Sequence, residues 1–317
     1  MQDVTAIQAL KPRIVEKEVT LGDGAVRFTR TREGATSDLL WLALTYDESS
    51  WGRNDGENRS VEDFLHTVAM QHKIDNVSLG MLTSSSEEYS SYKKATEQYD
   101  FAKITLFLHS GFHVGPTVDR DHRHDGDVQT IRRAEISKVR NYLMLRTLEE
   151  EKHIIWQDAD VWHLDKGIVN RMLEHTEARD DVGVITARCA LGGMDNYDLN
   201  AWRGTREGPR GWDLDQKEID AGEMDLQGQY HVDKLIEDTN NDDLIALDTV
   251  GATILYMRAS LIWQGLNFPH QYVVGTRWAK DGWDGIESEG ICYRARGLAG
   301  GKCMVMGGSW HVKHTTG

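Results

Sequence analysis

The chain has 317 residues, 39% hydrophobic and 27% charged, with a formal net charge of −15. That length carries one large α/β domain, or two modest ones, with a proper core. The acidity excludes nucleic acid as a partner, since a phosphate backbone needs Lys and Arg to neutralise it, and no run of about 18 apolar residues offers a membrane span.

Residues 1–35 are polar and weakly patterned and read as a stem or an edge hairpin. From Leu39, "LLWLALTY" is a short apolar run, as in a strand buried on both faces. Ser60 with Asp63 three residues on gives a capping-box signature, and Phe64, Leu65, Val68 and Ala69 follow at helical spacing. "NVSLGMLTSS" reads as a second strand, "EEYSSYKKATEQY" as a helix and "AKITLFLHS" as a third strand. The polar loop 111–130, with His113, His122 and His124, has the length of a functional or mobile segment.

A helix is predicted from about Ile131 to Leu148, with Ile136, Val139, Tyr142 and Leu143 on one face, leading into the strand "HIIWQDADV". Asp165 reads as the cap of the next helix, with Ile168, Val169, Met172 and Leu173 inward, and "VGVITAR" as a strand. Strands alternating with helices through residue 190 predict an α/β fold with an open, mostly parallel sheet flanked by helices. The remainder is loop-rich and Trp-rich. "LIALDTVGATILYMRA" reads as one or two strands, "GIESEGICYRARGLAG" as a helix, and "GKCMVMGGSWHVKH" as a closing strand and tail. Three cysteines, Cys189, Cys292 and Cys303, allow one disulfide at most and make no metal-spacing motif. Asn58-Arg-Ser and Asn76-Val-Ser match the acceptor triplet for N-glycosylation.

The unusual piece is "IIWQDADVWHL", a buried strand that ends in two carboxylates one residue apart. Ligands of open α/β sheets sit outside the carboxyl ends of strands. In an extended segment Asp158 and Asp160 point the same way. Two converging anions repel unless a cation neutralises them, and hard oxygen ligands suit Mg²⁺ or Mn²⁺. The bland reading makes Asp158 a turn cap and Asp160 a solvated carboxylate.

Six short pieces stand in order around this pair: "KVRNYLMLRTL", "YDLNAW", "LDTVGATILYMRASL", "NFP", "ESEG" and "SWHV". Over roughly residues 38–314 the chain resembles the fungal Golgi mannosyltransferase family that builds the mannan polymerase complexes. The resemblance implies a GT-A fold, with about 36–190 as a nucleotide and metal half and about 191–317 as an acceptor half of one catalytic domain. It further implies GDP-mannose as donor, an α-mannoside acceptor, Mn²⁺ (or Mg²⁺) as cofactor, and α-mannosyl transfer with retention. Homologous subunits would be partners, and the location would be the Golgi lumen, with a type II membrane anchor upstream of these residues.

Within that frame Asp160 is the expected metal ligand, with Asp158 binding the ion through water or holding the ribose. The Trp-His motif of the family suggests His311 as a further metal ligand, and His314 is expected to be solvated. Arg140 and Asn141 lie on the helix leading to the aspartates, where an Arg fork suits a diphosphate; Arg132 and Arg133 are weaker candidates. Thr45 and Asp47, and Thr83 and Ser84, end the first two strands, where nucleotide bases and riboses dock. The catalytic candidates are Asp248, for a sugar hydroxyl, and Glu287 and Glu289, one of them under the transferred mannose. Trp202, Trp212, Trp278 and Trp283 are candidates for stacking on sugars. A non-catalytic scaffold subunit, or a transferase using another nucleotide sugar, is the alternative.

Overall fold

The apolar runs of the first half become the middle of a ten-stranded sheet. The structure, a computed structural model, describes residues 12–54, 56–112, 126–204, 230–271 and 285–315, with only the backbone of 126–129. The parallel heart consists of β3 (Leu39–Leu44), β4 (Val77–Thr83), β5 (Lys103–Leu108) and β6 (His153–Gln157). They lie in the order β5-β4-β3-β6, all parallel. An antiparallel hairpin, β1 (Ile14–Thr20) and β2 (Val26–Arg32), adds to the β5 edge.

Beyond β6 the sheet is mixed. The strand β8 (Val182–Thr186) is separated from β6 by β11 (Ile254–Arg258), which runs antiparallel to both. β12 (Lys302–Met306) is parallel to β8, and β10 (Leu244–Ala246) closes the edge antiparallel to β12. Because β11 is reversed, its first residue, Ile254, pairs with Gln157 at the carboxyl end of β6. The loop entering β11 therefore meets the loop leaving β6.

Alternation along the buried strands divides the core in two. Leu39, Trp41 and Ala43 join one cluster, filled by α1 (Val61–Gln71), α2 (Ser86–Ala95) and α4 (Ile168–Ala178) through Phe64, Leu65, Tyr92, Ile168 and Met172. Leu40 and Leu42 join the other, filled by α3 (Gly126–Thr147), α5 (Ala259–Trp263) and α6 (Ile291–Ala295) through Leu143, Leu261 and Ile291. The Ser60/Asp63 capping box starts α1 as its sequence predicts.

A small three-stranded sheet lies beside the main one. In it β13 (His311–His314) runs between β9 (Arg188–Ala190), parallel, and β7 (Val161–Leu164), antiparallel. The expected single closing strand is thus two strands, β12 and β13, broken at Gly307 and Gly308, the latter in the left-handed region. Asp165 does not cap a helix with its side chain. Gly167 precedes α4, and the Asp165 carboxylate instead accepts the His311 N–H at 2.8 Å. Cys292 and Cys303 form a disulfide that ties α6 to β12, and Cys189 is buried and free.

Candidate active site

The main chain of β6 delivers Asp158 to the sheet edge, where its N–H donates to Thr253 O at 3.2 Å. Its Oδ1 accepts a hydrogen bond from Arg140 Nη2 at 2.6 Å. Arg140 comes from α3 and is 3% exposed, its guanidinium 5.0 Å from the Trp156 ring centre and 5.4 Å from that of Phe268. Its Nε also pairs with Glu287 Oε1 at 2.9 Å. One fork thus binds two carboxylates, and two aromatic rings remove the water that would weaken it. Nη1 of the same guanidinium has no hydrogen-bond partner among the described residues.

Burial pushes the Asp158 carboxyl up to about 6; Arg140 pulls against that, while Asp160 and Glu287 push further up. The acids here are therefore crowded enough to compete for one cation. Asp160 Oδ2 lies 2.9 Å from His314 Nε2. For His314, burial favours the neutral ring, but the hydrogen bond and charge of Asp160 outweigh it, so the group is shifted up. Arg59, buried beneath the turn, donates to Ala159 O at 3.0 Å and to Trp51 O at 3.2 Å, fixing the peptide between the two aspartates.

Glu287 is the one non-glycine among the described residues with positive φ, at 63°. Such a backbone costs about 1–3 kcal/mol and persists where surrounding structure enforces it. Here Glu287 N donates to Pro269 O at 2.7 Å while the side chain is held by Arg140. Asp198, in the "YDLNAW" stretch, is buried against the same loops. Burial raises its carboxyl, the N–H of Asn200 and the hydroxyl of Thr253 counter that, and Glu287 adds to the rise. A Cβ on Gly251 would stand 1.7 Å from Asp198 Oδ2, so glycine is what lets this carboxylate approach the backbone.

The expected residues divide. Asp158, Asp160, Arg140 and Glu287 are brought together. His311 is not with them: its Nδ1 sits 2.8 Å from Asp165 Oδ2. The correction follows from strand geometry, since β13 pairs His314 with Val161, next to Asp160, and carries His311 toward Asp165 instead. His314, expected in solvent, is the imidazole on the pair.

Glu289 is 1% exposed and accepts from Arg133 Nη2 and Gly285 N, each at 3.1 Å, so its charge is committed to structure. Asn141 clamps the backbone of Phe268, donating to its carbonyl at 2.7 Å and accepting its N–H at 2.8 Å. Asp248 pairs with Arg296 and accepts Gly204 N at 2.8 Å.

Thr45, Asp47, Thr83 and Ser84 stand at the carboxyl ends of β3 and β4 as expected, but their side chains are engaged locally. Thr45 meets Tyr92 OH, Asp47 accepts Ser49 N at 2.9 Å, Thr83 accepts Ser85 N at 3.2 Å, and Ser84 donates to Phe112 O at 3.2 Å. Trp202 is fully buried. His113, His122, His124, Trp212, Trp278 and Trp283 lie outside the described residues.

Sequence reasoning missed Arg59, Asp198 and His314. Asp198 had a signal, an acid between Tyr197 and Leu199 inside the quoted motif "YDLNAW". Arg59 had none, because only the fold brings it under Ala159.

A family model, Anp1, matches residues 44–271. The vanadate resistance protein of Candida albicans is 26% identical over 235 residues, 68% of this chain and 49% of that protein. The mannan polymerase complex subunit mnn9 of Schizosaccharomyces pombe is 28% identical over 159 residues, 46% of this chain and 44% of its own length. The chain thus spans about half the length of the curated relatives it matches. Among solved structures, S. aureus TarS 1-349 in complex with UDP is 10% identical, with 88% of this chain and 60% of that chain covered and a TM-score of 0.47. The 4-diphosphocytidyl-2C-methyl-D-erythritol synthase of Anaerococcus prevotii is 10% identical over 72% of this chain and 74% of that one, with a TM-score of 0.37. The sheet topology agrees with the α/β fold expected from the sequence, a parallel heart within a mixed sheet.

Proposed function

The chain belongs to the Anp1 family, and from that premise we propose that it is a metal-dependent, retaining mannosyltransferase. It moves mannose from GDP-mannose to an α-mannoside acceptor. The observation that carries this reading is one cluster at a strand end: Asp158 and Asp160, with His314 on the second and the buried fork of Arg140 on the first. Two carboxylates and an imidazole make a donor set that suits Mn²⁺ better than Mg²⁺, because nitrogen joins the oxygens. Asp158, Asp160 and His314 would hold the ion, which when bound supplies electrostatic stabilisation of a leaving diphosphate.

The protein's own share is positioning and charge. Arg140 binds Asp158 and Glu287 side by side, and its Nη1, without a hydrogen-bond partner among the described residues, is a buried donor suited to a phosphate oxygen. Glu287, held in a strained backbone, offers a fixed negative charge to a sugar that gains positive character in the transition state. Donor and product are both α. The acceptor hydroxyl therefore attacks on the face that GDP leaves, and the departing phosphate takes its proton. No protein side chain is assigned as base.

The fission-yeast relative is named as a subunit of a mannan polymerase complex, which supports mannan elongation and a place in a complex. The alternative is a scaffold subunit of such a complex without turnover of its own. Mannose transfer from GDP-mannose to an α-mannoside, with Mn²⁺ and with EDTA, separates the two. Transfer that requires Mn²⁺ and is lost in Asp160→Ala is expected. Tight GDP binding with no transfer to any mannoside favours the scaffold.

A further inference from the structure

Among the described residues one group of side chains has the make-up of a metal site: His163, Asp165 and His311. A ring nitrogen of each His and an oxygen of Asp165 all lie within 4.8 Å of one another. Their convergence is built into the small sheet. His163 and Asp165 are two residues apart at the end of β7 and share a face. Across the ladder Lys313 pairs with His163, and the Asp165 N–H donates to His311 O at 3.2 Å, which sets His311 opposite Asp165. The contacts follow: His163 Nε2 to Asp165 Oδ1 at 3.3 Å, and His311 Nδ1 to Asp165 Oδ2 at 2.8 Å. The two rings stand 5.8 Å apart, centre to centre.

We propose that these three residues form a second metal site, for a borderline transition-metal ion of the Zn²⁺ class, distinct from the ion held at Asp158 and Asp160. Two imidazoles and one carboxylate select against Mg²⁺ and Ca²⁺, which want oxygen throughout. Three protein ligands leave one position of a tetrahedron for water. The side chains are 38%, 23% and 25% exposed, so an ion can enter without unfolding the sheet. Lys313, on the same face, keeps its ammonium 5.8 Å from the Trp162 ring, and Arg188 is the register partner of His311 on β9, so Asp165 is the carboxylate that faces the two rings beside these cations. Asp165 also accepts the His311 N–H at 2.8 Å, an outer contact that orients the carboxylate.

The consequence is mechanical. β13 carries His311 to this site and His314 to Asp160, so an ion here pins the strand that completes the first cluster. The proposal does not depend on the mannosyltransferase reading, because its residues take no part in it.

The test uses protein stripped with EDTA and carrying Asp158→Asn and Asp160→Asn, so that the first cluster cannot contribute. Zn²⁺ titrated calorimetrically should bind with a stoichiometry of one. His163→Ala and His311→Ala should each weaken that binding at least about tenfold, the loss typical of even an outer partner of a metal ligand. Zn²⁺ should also raise the unfolding temperature, since it binds the native state alone, and His163→Ala should abolish the rise. X-ray absorption at the zinc edge on the unsubstituted protein, loaded with one equivalent, should show two imidazole nitrogens, which covers the case of a variant that folds poorly. No Zn²⁺ uptake, uptake indifferent to His163→Ala, or a zinc edge without imidazole would each overturn the proposal. The three residues would then be a hydrogen-bonded cluster and no more.

Discussion

His314 Nε2 lies 2.9 Å from Asp160 Oδ2, so the last residue of the closing strand meets the aspartate pair 154 positions after Asp160. This contact joins the tail of the chain to the end of β6. His314→Ala should therefore weaken Mn²⁺-dependent GDP binding at least about tenfold. The double change with Asp160→Ala should be little worse than either alone, since both break one unit. His311→Ala should cost far less in the same titration. The reverse ranking of the two histidines would place His311, not His314, on the ion.

Arg140 is the hub of the buried charges. Arg140→Met would leave Asp158 and Glu287 without their cation, which for a buried pair costs about 3–5 kcal/mol. Arg140→Lys keeps the charge but cannot fork to both acids. Urea unfolding should rank the parent above the Lys variant and the Lys variant above the Met variant. A Lys variant as stable as the parent would mean that charge alone suffices and that the geometry of the fork is incidental.

Glu287 and Glu289 sit two residues apart and should fail differently. Glu287→Gln should lower the turnover number while GDP affinity barely moves, the signature of an interaction made in the transition state. Glu289→Gln weakens the partner of Arg133 and of Gly285 N, so its main effect should be on stability. Steady-state kinetics beside thermal unfolding separates them. Equal turnover in the two Gln variants would remove Glu287 from the reaction.

His153, at the start of β6, bonds Tyr256 OH through Nδ1 at 2.8 Å. Burial, helped by the charge of Arg258, lowers its folded pKa below the ordinary 6.5. A depressed value means that the unfolded chain takes up the proton first. The contribution of this ring to stability is full above the unfolded pKa and is lost as pH falls through the folded one. The urea midpoint should fall as pH is lowered below the ordinary 6.5, and His153→Gln should flatten that slope whatever it does to the absolute midpoint. An unchanged slope would place the pH dependence elsewhere, with His175, also lowered by burial, the next group to test.

The parallel heart of the sheet was legible because Leu39–Leu44, Val77–Thr83 and His153–Gln157 are apolar on both faces, a pattern that only a covered strand supports. Asp158 and Asp160 were legible for the same reason, since their place followed from the strand before them. His314 was not. Choosing between His311 and His314 needs the register of β13 on β7, and a one-residue change in register moves every side chain to the other face. Glu289 and Asn141 misled because a buried acid or amide looks the same in sequence whether it serves a ligand or a backbone N–H.

The proposed reaction turns on one ion at Asp158 and Asp160 serving one nucleotide. Calorimetric titration of the protein with GDP, in Mn²⁺ and then in EDTA, with UDP alongside and Asp160→Ala as the variant, tests it most directly. GDP should bind in Mn²⁺, far more weakly in EDTA or in Asp160→Ala, and UDP should bind poorly throughout. GDP binding indifferent to EDTA, or UDP binding as tightly as GDP, would contradict it.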